Sequence, residues 1–142
     1  MIYTKQTKRA LEICFNAHKD QLDKSGMPYV FHPFHLAEQM TDEVTTVVAL
    51  LHDVVEDGDY TLADLEKEGF SKDALDAVAL LTHAKGEKYL EYVARIKQNP
   101  IARTVKLADL AHNTDTTRLE VIDDKMLERY EKYHKAIKLL NE

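Results

Sequence analysis

Apolar residues return at three- and four-residue intervals along nearly all of this chain, and no stretch alternates apolar with polar residues ahead of a hairpin turn. A chain patterned in this way buries its apolar atoms as helices laid against one another. With four glycines and three prolines in 142 residues, little interrupts those helices. The pattern predicts an all-α bundle of about eight helices, and the length predicts one domain spanning residues 1–142. The first helix is expected from about Thr4 to Lys19. The segment "DKSGMPYVFHP", with Gly26, Pro28 and Pro33, is expected as a loop that delivers His32 to the start of a short second helix. A third helix is expected from an N-cap at Thr41 through "VVALLHDVVED" to Gly58. Thr61 and Ser71 are expected to cap "LADLEKEG" and "KDALDAVALLTHA". After a charged loop, "AKGEK", come the helix "YLEYVARIKQN", the helix "IARTVKLADLAHNTDT" opened by Pro100, and a last helix, "DDKMLERYEKYHKAIKLL".

Lys and Arg number 19 against 25 Asp and Glu, a formal net charge of −6. Nucleic-acid and membrane surfaces both call for a basic face, so neither is an expected partner. An acidic chain that handles an anion needs a metal or a local basic cluster instead. No window approaches the ~18 apolar residues of a membrane span, and "MIYTKQTKRALEI" lacks the apolar centre of a signal peptide. The single Cys14 reads as a small buried residue, which fits a reducing, cytoplasmic setting. Exposed helical faces leave room for a homodimer. The seven tyrosines, spread along the chain, read as packing or interface residues.

The stretch "VVALLHDVVEDGDYT" departs from simple amphipathic patterning. Val44, Val47, Val48, Leu51 and Val55 make one helical stripe, while His52, Asp53, Glu56 and Asp57 share an arc on the other side. For Glu56 and Asp57 alone, a solvated polar face is as good an explanation as function. Two distant residues change that balance. His32 is pinned at a helix start by Pro33. Asp109 sits amid Val105, Leu107, Ala108 and Leu110, where an unpaired carboxylate would cost several kcal/mol to bury. A cation answers both. His32, His52, Asp53 and Asp109 form a mixed nitrogen and oxygen set suited to Mn²⁺, Fe²⁺ or Zn²⁺ and too rich in nitrogen for Mg²⁺ or Ca²⁺. Open coordination positions would take water and substrate.

The order His…His-Asp…Asp at these separations resembles the HD-domain metal-dependent phosphohydrolases. "HDVVED", preceded by "GMPYVFHP" and followed by "VKLADLAHN", narrows the resemblance to the hydrolase domain of the Rel/SpoT homologues, small alarmone hydrolases above all, over about His18 to Thr116. It implies an all-α HD-domain fold, a bound Mn²⁺, and hydrolysis of the 3′-pyrophosphate of ppGpp to GDP and pyrophosphate, with no room for a synthetase domain. Residue by residue, it implies metal ligands at His32, His52, Asp53 and Asp109 and catalytic acids at Glu56 and Asp57. Beside a cation, such acids can orient a water and accept its proton. The resemblance also implies nucleotide contacts at Asn113 and Thr116, four and seven residues after Asp109 on one helical face, and at Lys24 in "LDKSG". Lys106, one turn before Asp109, could add charge there, although for both lysines a solvated side chain is an equal reading. His18 matches the family as support behind the site. His112 matches its "HN" signature, as a structural hydrogen-bonding residue at least as readily as a catalytic one. His35, His83 and His134 receive no role.

Two positions depart from the family pattern. The alarmone hydrolases usually carry an arginine before the residue matching Lys24, stacked near the base; here it is Asp23, which supplies no planar cation. The Arg or Lys common after the last metal-binding Asp is here Leu110. The segment "LLTHAKGEKYLEYVARIKQNP" also resembles a looser group of small HD proteins. These features leave two alternatives to ppGpp hydrolysis. One is action on another purine nucleotide, an adenine alarmone or a phosphorylated dinucleotide. The other is a catalytically silent module that binds metal and nucleotide, against which intact Glu56 and Asp57 argue.

Overall fold

The computed structural model describes residues 1–142 and is all-α. The helices are α1 (Lys5–His18), α2 (Phe31–Glu38), α3 (Glu43–Leu51), α4 (Val54–Asp57), α5 (Leu62–Lys67), α6 (Lys72–Leu81), α7 (Tyr89–Lys97), α8 (Pro100–Asn113) and α9 (Asp124–Asn141), with a 3₁₀ turn at Thr116–Arg118. No helix is long and apolar enough to cross a membrane. Twenty-six buried apolar residues drawn from all nine helices make one contiguous cluster, so a single core ties every element together. At its centre lies α3, packed against α1, α2, α6 and α8. Thr45 to Leu51 are buried in succession, which makes α3 a helix shielded on every side rather than one with a single buried stripe. Leu50 and Leu51 alone contribute about 1.5–3 kcal/mol each by leaving water.

Local chemistry sets most of the helix ends. Thr4 and Thr7 close a reciprocal cap on α1, Thr61 and Asp64 do so on α5, Ser71 accepts from the Ala74 N–H, and Asn99 caps α8 with Pro100 in its first position. At α3 the cap is Asp42 instead of the expected Thr41. Its carboxylate accepts from the Thr45 N–H and hydroxyl at 2.8 and 2.6 Å, stronger partners than a Thr41 hydroxyl one residue outside the helix.

The helix expected to run from the third N-cap to Gly58 is broken in two. In an unbroken helix the Ala49 carbonyl would accept from the Asp53 N–H; here it accepts from His52 Nδ1 at 2.7 Å. Asp53 takes φ −109° and ψ 0°, and α4 starts in a new direction. The break turns Val54 fully into the core and leaves Val55 only half-buried. It also withdraws His52 from the expected arc into the interior. A second expectation fails at α8, which ends at Asn113 because Thr114 leaves helical geometry and its hydroxyl donates to the Leu110 carbonyl at 2.9 Å. Thr116 therefore lies in the 3₁₀ turn, off the helical face it was expected to share with Asn113.

Candidate functional site

The ends of α2, α3 and α8 meet at one place. His32 in the first turn of α2, His52 just after α3 and Asp109 on the inward side of α8 are each 3–5 % exposed. His32 Nε2 lies 2.8 Å from Asp109 Oδ1. His52 Nε2 lies 3.1 Å from Asp53 Oδ2 and 3.8 Å from Asp109 Oδ1. One ligand atom from each of His32, His52 and Asp109 falls within 4.8 Å of the others. Asp53 stands at the edge of this group, where its carboxylate accepts from the Tyr29 hydroxyl.

The donor chemistry fits a divalent cation. Because the Ala49 carbonyl can only accept, His52 Nδ1 carries a proton, and Nε2 is left facing two carboxylates. That Nε2 is buried and makes no hydrogen bond of acceptable geometry. An imidazole anchored through one nitrogen, with the other aimed at a polar cluster, is prepared as a ligand. Without a cation, charges in the cluster balance through a proton. Burial disfavours the Asp109 carboxylate, but Lys106 Nζ at 2.8 Å and the His32 hydrogen bond outweigh it and hold that carboxyl well below its usual range. Burial acts likewise on Asp53, and the neighbouring His52 overcomes it, to about 2. For His52, burial opposes the charged form, yet Asp53 and Asp109 raise the imidazole well above its usual value.

Around this centre, further side chains fix orientation. Lys106 is no solvated lysine: its side chain is 11 % exposed, and its ammonium lies over the Tyr92 and Tyr89 rings at 5.3 and 5.8 Å. Asn113 donates to Asp109 Oδ1 at 3.0 Å. His112 Nδ1 lies 2.7 Å from His32 Nδ1. Burial first, then Arg118, His32 and His35, push His112 down to about 4, so it is neutral and accepts from the His32 ring. Glu56 and Asp57 stand on α4 beside the cluster. Glu56 accepts from the His83 backbone N–H, which gives His83 a part that the sequence did not assign. Asp57 accepts from Gln21 at 3.5 Å, and Gln21 Oε1 lies 2.8 Å from His18 Nδ1, so buried His18 is linked to Asp57 through Gln21. Partial burial, with Asp53 nearby, raises both carboxyls above their ordinary values.

A cleft of about 340 Å³ opens beside this cluster and meets it at His32 and Asp57, while His52, Asp53, Asp109 and Glu56 lie behind its wall. Tyr29, His32, Asp57 and Asn113 line it, as does Lys24; Thr116 does not. Three tyrosines, Tyr29, Tyr130 and Tyr133, form part of its wall, so the reading of tyrosines as packing residues is incomplete. Leu110 is fully buried in the core, away from the cleft. Asp23 organises its own loop, its Oδ1 accepting from the Ser25 N–H, the Ser25 hydroxyl and the Met27 N–H at 2.8–3.0 Å. Its Oδ2 faces Arg118 Nη2 at 3.4 Å. Tyr29 had a sequence signal, three residues before His32 within "GMPYVFHP"; Arg118, whose partner is 95 residues away, had none.

No protein-family model matches the chain. A probable GTP pyrophosphokinase of Mycobacterium leprae is 38 % identical over 125 residues, covering 78 % of this chain and 16 % of that protein. The bifunctional (p)ppGpp synthase/hydrolase SpoT of Escherichia coli is 34 % identical over 128 residues, 79 % of this chain and 18 % of its own length. The chain thus spans less than a fifth of the curated relatives it matches. A solved structure of a metazoan SpoT orthologue, described as hydrolysing ppGpp, superposes with a TM-score of 0.80 at 25 % identity, covering 99 % of this chain and 88 % of that one. Over this shared stretch the chain is similar to the Rel/SpoT homologues, and its fold resembles that of a SpoT-type hydrolase domain.

Proposed function

We propose that residues 1–142 are one HD-type domain that hydrolyses the 3′-pyrophosphate of ppGpp to GDP and pyrophosphate with the help of a divalent cation, Mn²⁺ in the first instance. The observation that carries this reading is the buried His52 Nε2, anchored from behind and aimed at the Asp53 and Asp109 carboxylates, in a cluster whose His32 lines the neighbouring cleft. Homology to SpoT and the likeness to a ppGpp-hydrolysing orthologue support the substrate. His32, His52, Asp53 and Asp109 would hold the ion. When bound, it would supply positive charge for the developing phosphoryl negative charge and make a water more acidic.

The remaining work falls to side chains of this protein. Glu56, held by the His83 N–H and raised by partial burial, accepts a proton from the attacking water, because a carboxyl raised toward neutrality is a better base. Asp57, tied to Gln21, orients that water. Asn113 and Lys24 contact the nucleotide along the cleft; Thr116 contacts it from the 3₁₀ turn only through a ligand that extends past the lined cleft. Neutral His112 holds the His32 ring in place.

The test is release of pyrophosphate from ppGpp with and without Mn²⁺, with Glu56→Gln as control. Mn²⁺-dependent release that falls steeply in the variant is expected. Metal binding without turnover of ppGpp would overturn the reading.

A further inference from the structure

The cleft carries its positive charges in two unlike settings. Lys24 faces other cations: burial first, then Arg129 and Lys132, push its ammonium below the usual value. Lys24 and Arg129 line the cleft together and suit a phosphate. Arg118 is held differently. Its Nη1 donates to the His112 carbonyl at 2.9 Å and its Nη2 faces Asp23 Oδ2 at 3.4 Å. Three of its five N–H groups are thereby left over, on a side chain that is 25 % exposed. The Asp23 carboxylate is fixed by the three donors on Oδ1, so Oδ2 is presented to both Arg118 and the cleft. Leu22, Leu119 and Met126 line the same cleft and offer apolar surface.

A phosphate placed here would meet the Asp23 carboxylate and be repelled. An uncharged ring with acceptors beside donors would satisfy both partners. Guanine presents acceptors at O6 and N7 and donors at N1 and N2, whereas adenine puts an amino donor where guanine has O6. A guanidinium forked onto O6 and N7, beside a carboxylate accepting from the N1 and N2 donors, therefore matches guanine. Adenine would set its amino group against the guanidinium and its N1 lone pair against the carboxylate. We propose that the Asp23–Arg118 pair reads the base of the bound nucleotide and selects guanine over adenine. This rests on the cleft being the nucleotide site. It makes Asp23 part of the reader at the position where the family pattern loses a cation, with Arg118 beside it supplying the planar cation.

The test is calorimetric binding of GDP and ADP to the full chain without added metal, for the unaltered protein, Arg118→Ala and Arg118→Lys. GDP is expected to bind about tenfold or more tightly than ADP, the discrimination of one good bidentate contact. Arg118→Ala should bring the two affinities together chiefly by weakening GDP. Arg118→Lys should do the same, because an ammonium keeps the charge but not the fork. Comparing two ligands on one preparation cancels any unfolded fraction. Equal binding of GDP and ADP by the unaltered chain, no measurable binding of either, or an equal loss of both in Arg118→Ala would each overturn the proposal. Pyrophosphate release from ppGpp is followed in parallel. Its absence with guanine preference intact would overturn the hydrolase reading alone. Its presence with an unchanged GDP:ADP ratio in Arg118→Ala would overturn the base-reading pair alone.

Discussion

The inward side of α8 is purely apolar in its first half and carries a charged row beside buried Leu110 in its second. Ala102 and Val105 are fully buried in the common core. One turn later Lys106, Asp109 and Asn113 occupy the same side, and Asp109 is only 5 % exposed. Both halves are shielded from water, yet they act in opposite directions. Removing apolar surface from water stabilises the fold. Burying an ammonium and a carboxylate is opposed by several kcal/mol per ion, and even a well-made pair rarely beats apolar residues of the same volume. The contrast teaches that the row of Lys106, Asp109 and Asn113 on α8 is kept for something other than stability, and the neighbouring His32, His52 and Asp53 indicate what.

The sharpest way to break this contrast is at Asp109. Asp109→Ala removes a carboxylate from the cluster and strands the Lys106 ammonium. Metal-dependent turnover should vanish, and stability in urea should fall by about 3–5 kcal/mol. The double change Asp109→Leu with Lys106→Met should restore stability without restoring turnover. A double variant no more stable than the single one would show that the two charges are not coupled as described. Glu56→Gln comes next, with kcat reduced by about 10²–10⁴. A carboxyl raised above its unfolded value stabilises the fold only while protonated, so its charge opposes folding at neutral pH. The melting temperature of Glu56→Gln should therefore stay level or rise, which a thermal melt beside single-turnover kinetics would read.

On the apolar side, Leu110→Ala should lower stability by about 2–5 kcal/mol while kcat/KM is retained below the melting range, since Leu110 fills core and touches no part of the cleft. Loss of turnover in a folded Leu110→Ala protein would erase the distinction between the two kinds of position. The mildest effect is on pH dependence. His52 is raised above its ordinary value of 6.5, so in the metal-free protein its proton adds stability below that value, lost as pH rises through the raised one. A cation must displace this proton. Apparent metal affinity should thus climb by up to about tenfold per pH unit while His52 remains protonated. Titration calorimetry in two buffers of different ionisation enthalpy should detect about one proton released per ion.

Much of the architecture was legible because it is written in local chemistry. Thr61, Ser71 and Pro100 mark helix starts through their own side chains, and the loop around Gly26 is announced by its composition, Gly26 adopting φ +83°. What was not legible depends on competition or distance. The break after Leu51 has no glycine or proline; it comes from the His52 imidazole taking a carbonyl that the backbone would have used. The convergence of His32, His52 and Asp109 was anticipated because an aspartate among apolar neighbours needs a partner. Lys106 could not be told from a solvated lysine: Asp109 lies one turn away on the same helix, but the Tyr89 and Tyr92 rings that cover the ammonium become neighbours only when α7 packs on α8. Arg118 was missed for the same reason, as Asp23, 95 residues away, becomes its neighbour only in the folded chain.

The charged row of α8, the broken end of α3 and His32 together offer the ligand atoms of a cation site. Elemental analysis after exposure to Mn²⁺ and exhaustive dialysis tests it most directly, comparing the unaltered chain with His52→Gln, which keeps the side chain's bulk while removing the imidazole. One ion per unaltered chain, and loss of that ion in a His52→Gln protein of undiminished helical content, is the expected result. Equal metal content in the two proteins, or none in either, would contradict it.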